Sequence, residues 1–339
     1  MPQKFNSFKS KDKILHYPDK LNLFISSQKT LIVTEIDPTN KCNNSCPKCT
    51  GTKENGDELT FSEVEEIVKS LKMLDNQGVI ISGGGEPLMH PDICRIIELI
   101  TRNGMKVGLN SNGLALTEEI AGTIVANCEY FRISLDAATP DVYKLTHGMG
   151  ESDFLRVIDN IRKMVRVKKD ASSDISFVVG FLTNSETICD MEGFVKLVKD
   201  CGADAAQFRP FTGDQTDIQE EYLKLKALYE TESFKVLASA QKYDTFGTER
   251  SYKKCHGMFF SSVITANARM YACLHHRQNK DFLICDMRKG ESLVEMWNYR
   301  KWLVYHDMDI TKCPPFCRND SFNSVLDSLL AEYPHKEFL

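Results

Sequence analysis

Residues 31–49 read LIVTEIDPTNKCNNSCPKC. The segment opens with LIVTEID, whose aliphatic and β-branched residues predict a strand. Three cysteines follow, Cys42, Cys46 and Cys49, with the spacing C-x3-C-x2-C. A cysteine-rich loop directly after a buried strand lies at the carboxyl end of that strand, where α/β barrels carry their chemistry. This stretch therefore decides both the fold class and the position of the site.

Short apolar runs alternate with amphipathic helical patterns from residue 31 to about residue 210. The predicted strands are 31–37, 79–83, 106–110, 131–136, 175–182 and 205–211. The predicted helices are one that begins after Thr60, with Glu63 completing a capping box, and those over 91–102, 117–128, 152–167 and 186–200. Apolar strands covered by helices predict a parallel sheet buried on both faces, and six such units close most of the way into a barrel.

The alternation stops after Phe211. Two short β-like runs, SSVITA and RMYAC, predict a hairpin around residues 266–268, and a final helix is predicted over 321–332. We therefore predict an α/β fold, a partial (β/α)6 TIM-like barrel followed by a small cysteine-rich α+β extension with a β-hairpin. The expected boundaries are an N-terminal extension over 1–30, the barrel over 31–212, a helical connector over 213–254 and the extension over 255–339.

Composition limits the class of protein. The 339 residues are 42% apolar and 26% charged with a formal net charge of −5, an ordinary globular balance that does not favour nucleic acid as a partner. The most apolar run, over 175–182, is too short to cross a bilayer, and the basic N-terminus lacks the apolar segment of a secretory signal. We expect a cytoplasmic protein whose 12 cysteines serve metals or redox chemistry.

The first cysteine group suits an iron-sulfur cluster. Three thiolates from one short loop can hold three corners of a 4Fe-4S cube, which takes four ligands in all. Cys42, Cys46 and Cys49 would then leave one iron open for a substrate or cosubstrate. A zinc loop or unrelated buried thiols are the alternatives, although zinc usually takes a fourth Cys or His and none lies in the ten residues after Cys49.

This loop resembles the cysteine motif of radical S-adenosylmethionine (SAM) enzymes. The segment SGGGEP at 82–87 resembles the turn with which that superfamily holds the amino group of SAM, because glycines admit a ligand close to the backbone and Glu86 adds an acceptor for an ammonium. The resemblance implies that SAM chelates the open iron and is cleaved by one electron to methionine and a 5′-deoxyadenosyl radical, which abstracts hydrogen from carbon. Lys48 departs from the aromatic residue that usually precedes the third cysteine and contacts adenine.

Further residues are assigned from the resemblance to the strand ends. The predicted cofactor-binding residues are Gly83, Gly84, Gly85, Glu86, Asn112, Ser134, Asp136, Gly180 and Phe208. At the later strand ends an ordinary cap is the alternative interpretation. Arg209 is the candidate catalytic residue, because a guanidinium at a strand end can clamp a carboxylate bidentately, and its alternative is an ion-paired wall residue.

A second cysteine group follows the barrel. Cys255 and Cys273 flank the predicted hairpin, and Cys313 and Cys317 form C-x3-C after a helix that contains Trp297. This section resembles the twitch or shortened SPASM extension of many radical SAM enzymes, which implies one auxiliary 4Fe-4S cluster. Cys285 is a spare thiol or a substitute ligand. A zinc site is the alternative, because four cysteines also satisfy zinc.

An auxiliary cluster beside the substrate is an electron acceptor, which suits the dehydrogenation of an alcohol. We expect dehydrogenation, epimerisation or a related step on a hydroxylated small molecule such as a sugar, nucleotide sugar or aminocyclitol. The expected electron donor is flavodoxin or ferredoxin, with no nucleic-acid or membrane partner. About 30 residues precede the first strand, fewer than an independent peptide-recognition domain needs, so a peptide-modifying maturase is the alternative. A non-catalytic iron-sulfur or zinc scaffold is the second alternative.

Overall fold

The computed structural model describes residues 13–26, 28, 31–49, 51, 56–243, 249–315, 317–332 and 334. Its strands are β1 (Val33–Ile36), β2 (Gly78–Ile81), β3 (Lys106–Ser111), β4 (Cys128–Ser134), β5 (Ser176–Thr183), β6 (Ala205–Pro210), β7 (Lys235–Ala238), β8 (Ser261–Thr265), β9 (Arg269–Tyr271) and β10 (Leu283–Asp286). Its helices are α1 (Pro18–Ile25), α2 (Phe61–Met73), α3 (Ile93–Arg102), α4 (Glu118–Asn127), α5 (Pro140–His147), α6 (Glu151–Asp170), α7 (Met191–Cys201), α8 (Gln219–Tyr229), α9 (Ala240–Tyr243), α10 (Leu293–Asp307) and α11 (Asp320–Leu330).

All the strands belong to one sheet with the order β10-β9-β8-β1-β2-β3-β4-β5-β6-β7. Strands β1 to β7 run parallel to their neighbours, and within the described ranges no pairing closes the two edges onto each other. Strand β9 pairs antiparallel with β8 on one side and with β10 on the other. The predicted partial barrel with a hairpin in its extension is confirmed, and the barrel is open.

Local sequence explains the elements that support the first two strands. The Thr60 side chain accepts a hydrogen bond from the Glu63 backbone N–H, and the Glu63 carboxylate accepts from the Thr60 backbone, which completes the predicted capping box of α2. Helix α3 buries its isoleucines at 93, 96, 97 and 100, the spacing of a single helical face. The buried faces of α2 and α3 pack on the outside of the sheet, which leaves the carboxyl ends of the strands open for a site.

The helical connector predicted over 213–254 is corrected in part. Its described residues form α8, then the parallel strand β7, then the short helix α9. Strand β7 has the sequence KVLA, and four residues are too few to show the alternation that identifies a strand. The first part of the chain contributes seven parallel strands to the sheet rather than the six that the sequence patterns predict.

The extension continues the same sheet. Strand β8 pairs parallel with β1, with Val33 opposite Ser261 and Ile36 opposite Ile264. Arg277, after β9, ties the extension to β1 a second time, because its Nε lies 2.8 Å from Asp37 Oδ2 and its Nη2 donates to Glu35. Removing one partner of a buried ion pair of this kind is strongly destabilising, because the other charge is left uncompensated.

None of the helices in the described ranges combines the length and the apolar composition that a bilayer span requires. The first 12 residues, on which the expectation of no secretory signal depends, lie outside the described residues.

Candidate active site

A cavity of about 560 Å³ opens at the carboxyl ends of the parallel strands. The three cysteines of the loop after β1 line it, together with the glycine turn after β2. Residues of the extension, Leu274, His275, Arg277 and Arg318, also line it. The barrel and the extension therefore share one cavity.

The cysteine loop presents its thiols with hydrogen-bond donors aimed at each sulfur. The backbone N–H of Asn44 donates to Cys42 Sγ at 3.5 Å, and that of Gly51 donates to Cys49 Sγ at 3.3 Å. The third sulfur, Cys46 Sγ, lies 3.5 Å from His147 Nδ1. Donors of this kind stabilise thiolates and tune the potential of iron-sulfur clusters. Three thiols in one cavity wall with such donors fit the ligand set of an open-iron cluster.

Two glycines allow the loop and the turn to touch through their backbones. The backbone N–H of Gly85 donates to the Thr39 carbonyl at 3.0 Å, and a Cβ on Gly85 would lie 2.1 Å from the Lys41 carbonyl oxygen. A Cβ on Gly51 would lie 2.2 Å from the Gly84 carbonyl oxygen. No side chain fits at either position, so the sequence requires glycine there.

Glu86 holds this end of the cavity together. Its Oε1 accepts from the Ser111 hydroxyl at 2.6 Å and from the Leu88 backbone N–H at 3.0 Å, and its Oε2 accepts from the Asn112 backbone N–H at 2.7 Å. Burial raises the pKa of Glu86, although these donors oppose the rise. Glu86 lines the cavity as predicted, and the three hydrogen bonds that its carboxylate accepts position β3 and Asn112.

Replacing Glu86 with alanine should lower the free energy of unfolding by about 2–4 kcal/mol, because three buried donors would lose their acceptor. Urea denaturation of the cluster-free protein measures the effect. The control is E98A, which removes an exposed carboxylate paired with Arg102 on α3 and should leave the unfolding midpoint nearly unchanged. Equal midpoints for E86A and the parent chain would contradict this role.

Asn112, Ser134 and Asp136 all line the cavity, as the sequence predicts. Asn112 Nδ2 donates to Asn43 Oδ1 at 2.7 Å, which connects β3 to the cysteine loop. Asp136 has a positive φ of 53° and accepts from the Leu182 backbone N–H at 2.6 Å. Burial disfavours a charged His147, yet Asp136 and the Cys46 thiol together raise the pKa of His147 to about 9. The His147 ring therefore connects Asp136 to the cysteine loop.

Arg209 lines the cavity, whereas Gly180 and Phe208 are not among the residues that line it. A Cβ on Gly180 would lie 3.6 Å from Arg209 Nη2, an ordinary van der Waals distance. The Phe208 ring lies 5.7 Å from the Phe181 ring and 5.9 Å from the Phe194 ring, fully buried on the helix side of β6. Side chains alternate along a strand, so Phe208 and Arg209 face opposite sides and the assignment of Phe208 to the cofactor is corrected.

The second cysteine group forms its own cluster of thiols. Burial, together with repulsion from Cys255 and its neighbours, raises the pKa of Cys273 and of Cys317, and raises that of Cys313 to about 12. Donors again face the sulfurs: Asn323 Nδ2 lies 3.5 Å from Cys255 Sγ, and the Asn319 N–H lies 3.4 Å from Cys317 Sγ. Bound iron would replace the protons that burial keeps on these thiols.

The spare thiol and a buried lysine complete this region. Cys285 Sγ donates to the Glu291 carbonyl at 3.6 Å, and burial with Glu291 raises its pKa to about 12. Cys285 is therefore a structural thiol in this arrangement. Lys301 is fully buried, and burial lowers its pKa to about 7 against the opposing attraction of Cys273 and Cys255. The sequence patterns give no sign of Lys301, because it occupies an apolar position of α10.

Within the described part of the chain, no three His, Cys, Asp or Glu side chains lie close enough together to hold a single metal ion. The two cysteine groups are nevertheless gathered, one in the cavity wall and one in the extension.

Residues 36–198 match the sequence profile of the Radical SAM superfamily. The chain contains a radical SAM domain. The probable GTP 3′,8-cyclase of Methanocaldococcus jannaschii is 33% identical over 172 residues, 50% of this chain and 55% of that protein. Mycofactocin maturase MftC of Mycobacterium ulcerans is 28% identical over 189 residues, 54% of this chain and 48% of that protein. The crystal structure of Streptococcus suis SuiB bound to the precursor peptide SuiA has a TM-score of 0.66 at 13% identity and covers 87% of this chain and 71% of that chain.

The chain spans about half the length of the curated relatives it matches. The radical SAM match confirms the prediction of an enzyme with SAM and a 4Fe-4S cluster, and it favours an enzyme over a scaffold. The cysteine-rich extension predicted from the sequence is present, and Cys255, Cys273, Cys313 and Cys317 act on one another electrostatically within it, which agrees with one auxiliary cluster. The maturases among these proteins favour the peptide-modifying alternative over a hydroxylated small molecule.

Proposed function

We propose that this chain is a radical SAM enzyme that modifies a peptide. The observation that carries the proposal is the shared cavity, which the three cysteines of the radical SAM domain line and which residues next to the auxiliary cysteines close from the other side. When bound, SAM and the first cluster supply a 5′-deoxyadenosyl radical that abstracts hydrogen. A maturase among the relatives and the peptide-bound structural neighbour support a peptide as the substrate class.

The residues of the chain have distinct roles in this function. Cys42, Cys46 and Cys49 would hold the first cluster, and the backbone of Gly83–Gly85 would face SAM across the loop. Cys255, Cys273, Cys313 and Cys317 would hold the auxiliary cluster, which takes the electron left after hydrogen abstraction. Flavodoxin or ferredoxin is the proposed electron donor, and the cytoplasm, whose reducing conditions suit these thiols, is the proposed location.

The test uses anaerobically reconstituted protein with SAM, dithionite and short synthetic peptides of varied sequence, prepared with deuterium at their side-chain carbons. We expect deuterium in the 5′-deoxyadenosine and loss of two hydrogens from the peptide, both followed by mass spectrometry. The C46A protein is the control and should show neither. Deuterium transfer from nucleotide sugars and none from the peptide would contradict the proposed substrate class.

A further inference from the structure

Two arginines line the inner wall of the cavity, and the Nε atom of each lacks a hydrogen-bond partner among the described residues. Arg132 lies on β4 and Arg209 on β6, and both face the cavity. Among the described residues, the Nε atoms of both are buried and have no hydrogen-bond partner. A buried donor without a partner is costly, and a ligand that accepts from it recovers that cost.

The side chains of Arg132 and Arg209 both approach Gly180. A Cβ at this glycine would lie 3.5 Å from Arg132 Cδ and 3.6 Å from Arg209 Nη2. Gly180 is paired with Ser134 on one side and with Gln207 on the other, so it stands between the two strands that carry the arginines. The missing side chain at position 180 therefore leaves space between two cations.

An acceptor without a partner lies beside these donors. Gln207 Oε1 is buried, has no hydrogen-bond partner among the described residues and faces the same side of β6 as Arg209. An anion alone would satisfy the arginines and leave this oxygen unsatisfied. A carboxylate with a neighbouring amide N–H satisfies all three groups, and peptides present this combination.

The carboxylates nearest to these arginines are also bound by other groups of the protein. Glu35 is engaged by Arg277 and lies 3.4 Å from Arg318, and Asp136 accepts from a backbone N–H. Burial and the neighbouring Arg132 lower the pKa of Arg209 to about 9, which still leaves it cationic at neutral pH. Burial and the two arginines lower the pKa of Lys242 to about 8. An anion in the cavity would relieve this repulsion.

The two arginines lie at different depths of the cavity, because on β5 Arg132 is paired with Val178 and Arg209 with Leu182, nearer the carboxyl end of the sheet. Arg132 lies two residues before Ser134 on β4, about 6.6 Å further from the strand end that faces the cysteine loop. Arg318, the residue after Cys317, lines the same cavity as the two arginines and the first cysteine loop. The arginines therefore lie in a cavity that both cysteine groups adjoin.

We propose that Arg132 and Arg209 bind a carboxylate of the peptide substrate, while Gln207 accepts a hydrogen bond from an adjacent peptide N–H. This inference rests on the proposed function, since it names the part of the peptide that the cavity recognises. The carboxylate is either the chain terminus of the peptide or an acidic side chain. Guanidinium groups bind either one bidentately.

Isothermal titration calorimetry on the reconstituted holoenzyme with SAM tests the inference without turnover. The probes are acetyl-trialanine with a free carboxylate, its amide, an amidated peptide with a central glutamate, and succinate. We expect the carboxylate probes to bind at least about tenfold more tightly than the trialanine amide, and R209Q to remove that difference. R209K should retain part of it. R166Q, an exposed arginine on α6, is the matched control and should bind like the parent chain.

The pattern among the probes identifies the source of the carboxylate. Tighter binding of free acetyl-trialanine than of the amidated glutamate peptide indicates the chain terminus, and the reverse order indicates an acidic side chain. Succinate binding that depends on Arg209, without binding of any peptide, supports the carboxylate subsite and counts against the peptide function. Unchanged discrimination in R209Q and R132Q overturns the inference. Loss of SAM affinity or of auxiliary iron in R209Q, with carboxylate binding intact, also overturns it.

Discussion

Replacing Cys46 with alanine should abolish the formation of 5′-deoxyadenosine, by a factor of about 10³ or more, since removal of one member of a catalytic unit typically costs that much. Cys46 is the central member of a three-thiol loop, and two thiols do not hold a cube that already lacks a fourth protein ligand. The protein should also lose about four of its roughly eight irons. Iron analysis and chromatography of the SAM products measure both effects.

The matched control is C94A. Cys94 lies half-buried on α3 and is not among the cavity-lining residues. This variant should keep its iron and cleave SAM at the parental rate. Full iron and normal SAM cleavage in C46A would show that the loop is not the cluster site.

Replacing Cys313 with alanine should have a different outcome. The four cysteines of the extension act on one another electrostatically, and none of them is among the residues that line the cavity. C313A should therefore lose about four irons and all peptide product while it continues to cleave SAM, because the two clusters occupy separate ligand sets. Iron analysis, 5′-deoxyadenosine yield and peptide mass spectrometry distinguish the two activities.

C285A is the control for the second group, because Cys285 hydrogen-bonds the Glu291 carbonyl and not the other thiols. It should retain iron and product formation. If C313A and C46A lost SAM cleavage equally, the separate roles of the two groups would be wrong. If C285A lost the auxiliary iron, Cys285 would be a ligand.

The site elements that are local in sequence could be predicted. The spacing of Cys42, Cys46 and Cys49 lies within one loop, and the SGGGEP turn lies within six residues, so both signals survive without knowledge of the fold. The capping box at Thr60 is local in the same way. Most strand boundaries and several helix boundaries lie within a few residues of the predicted ones, but helix α5 (Pro140–His147) and strand β7 (Lys235–Ala238) were not predicted.

The alternation of side chains along the strands could have identified Arg132 as a residue of the cavity. On β4, Arg132 and Ser134 face the cavity while Phe131 and Ile133 are buried on the other side. Once Ser134 was placed at the site, a period of two also placed Arg132 there. The same rule excludes Phe208 once Arg209 faces inward.

The non-local features could not be predicted from one sequence. The pairing of β8 with β1 and the bond from Arg277 to Glu35 join segments more than 200 residues apart. Nothing in the local pattern of either segment specifies the other. The positive charges that line the cavity are a second example. Arg132, Arg209, Lys242 and Arg318 come from β4, β6, α9 and the loop before α11, and only the fold places them together.

The place of β8 in the sheet also affects how the protein is made. Thr34 and Ser262, which hydrogen-bond across β1 and β8, are separated by 228 residues. At about 5–20 residues per second, a ribosome needs roughly 10–50 seconds to synthesise the stretch between them. During that time β1 has an unpaired edge, which is prone to association with other chains. We therefore expect the nascent chain to depend on chaperones until the second half emerges.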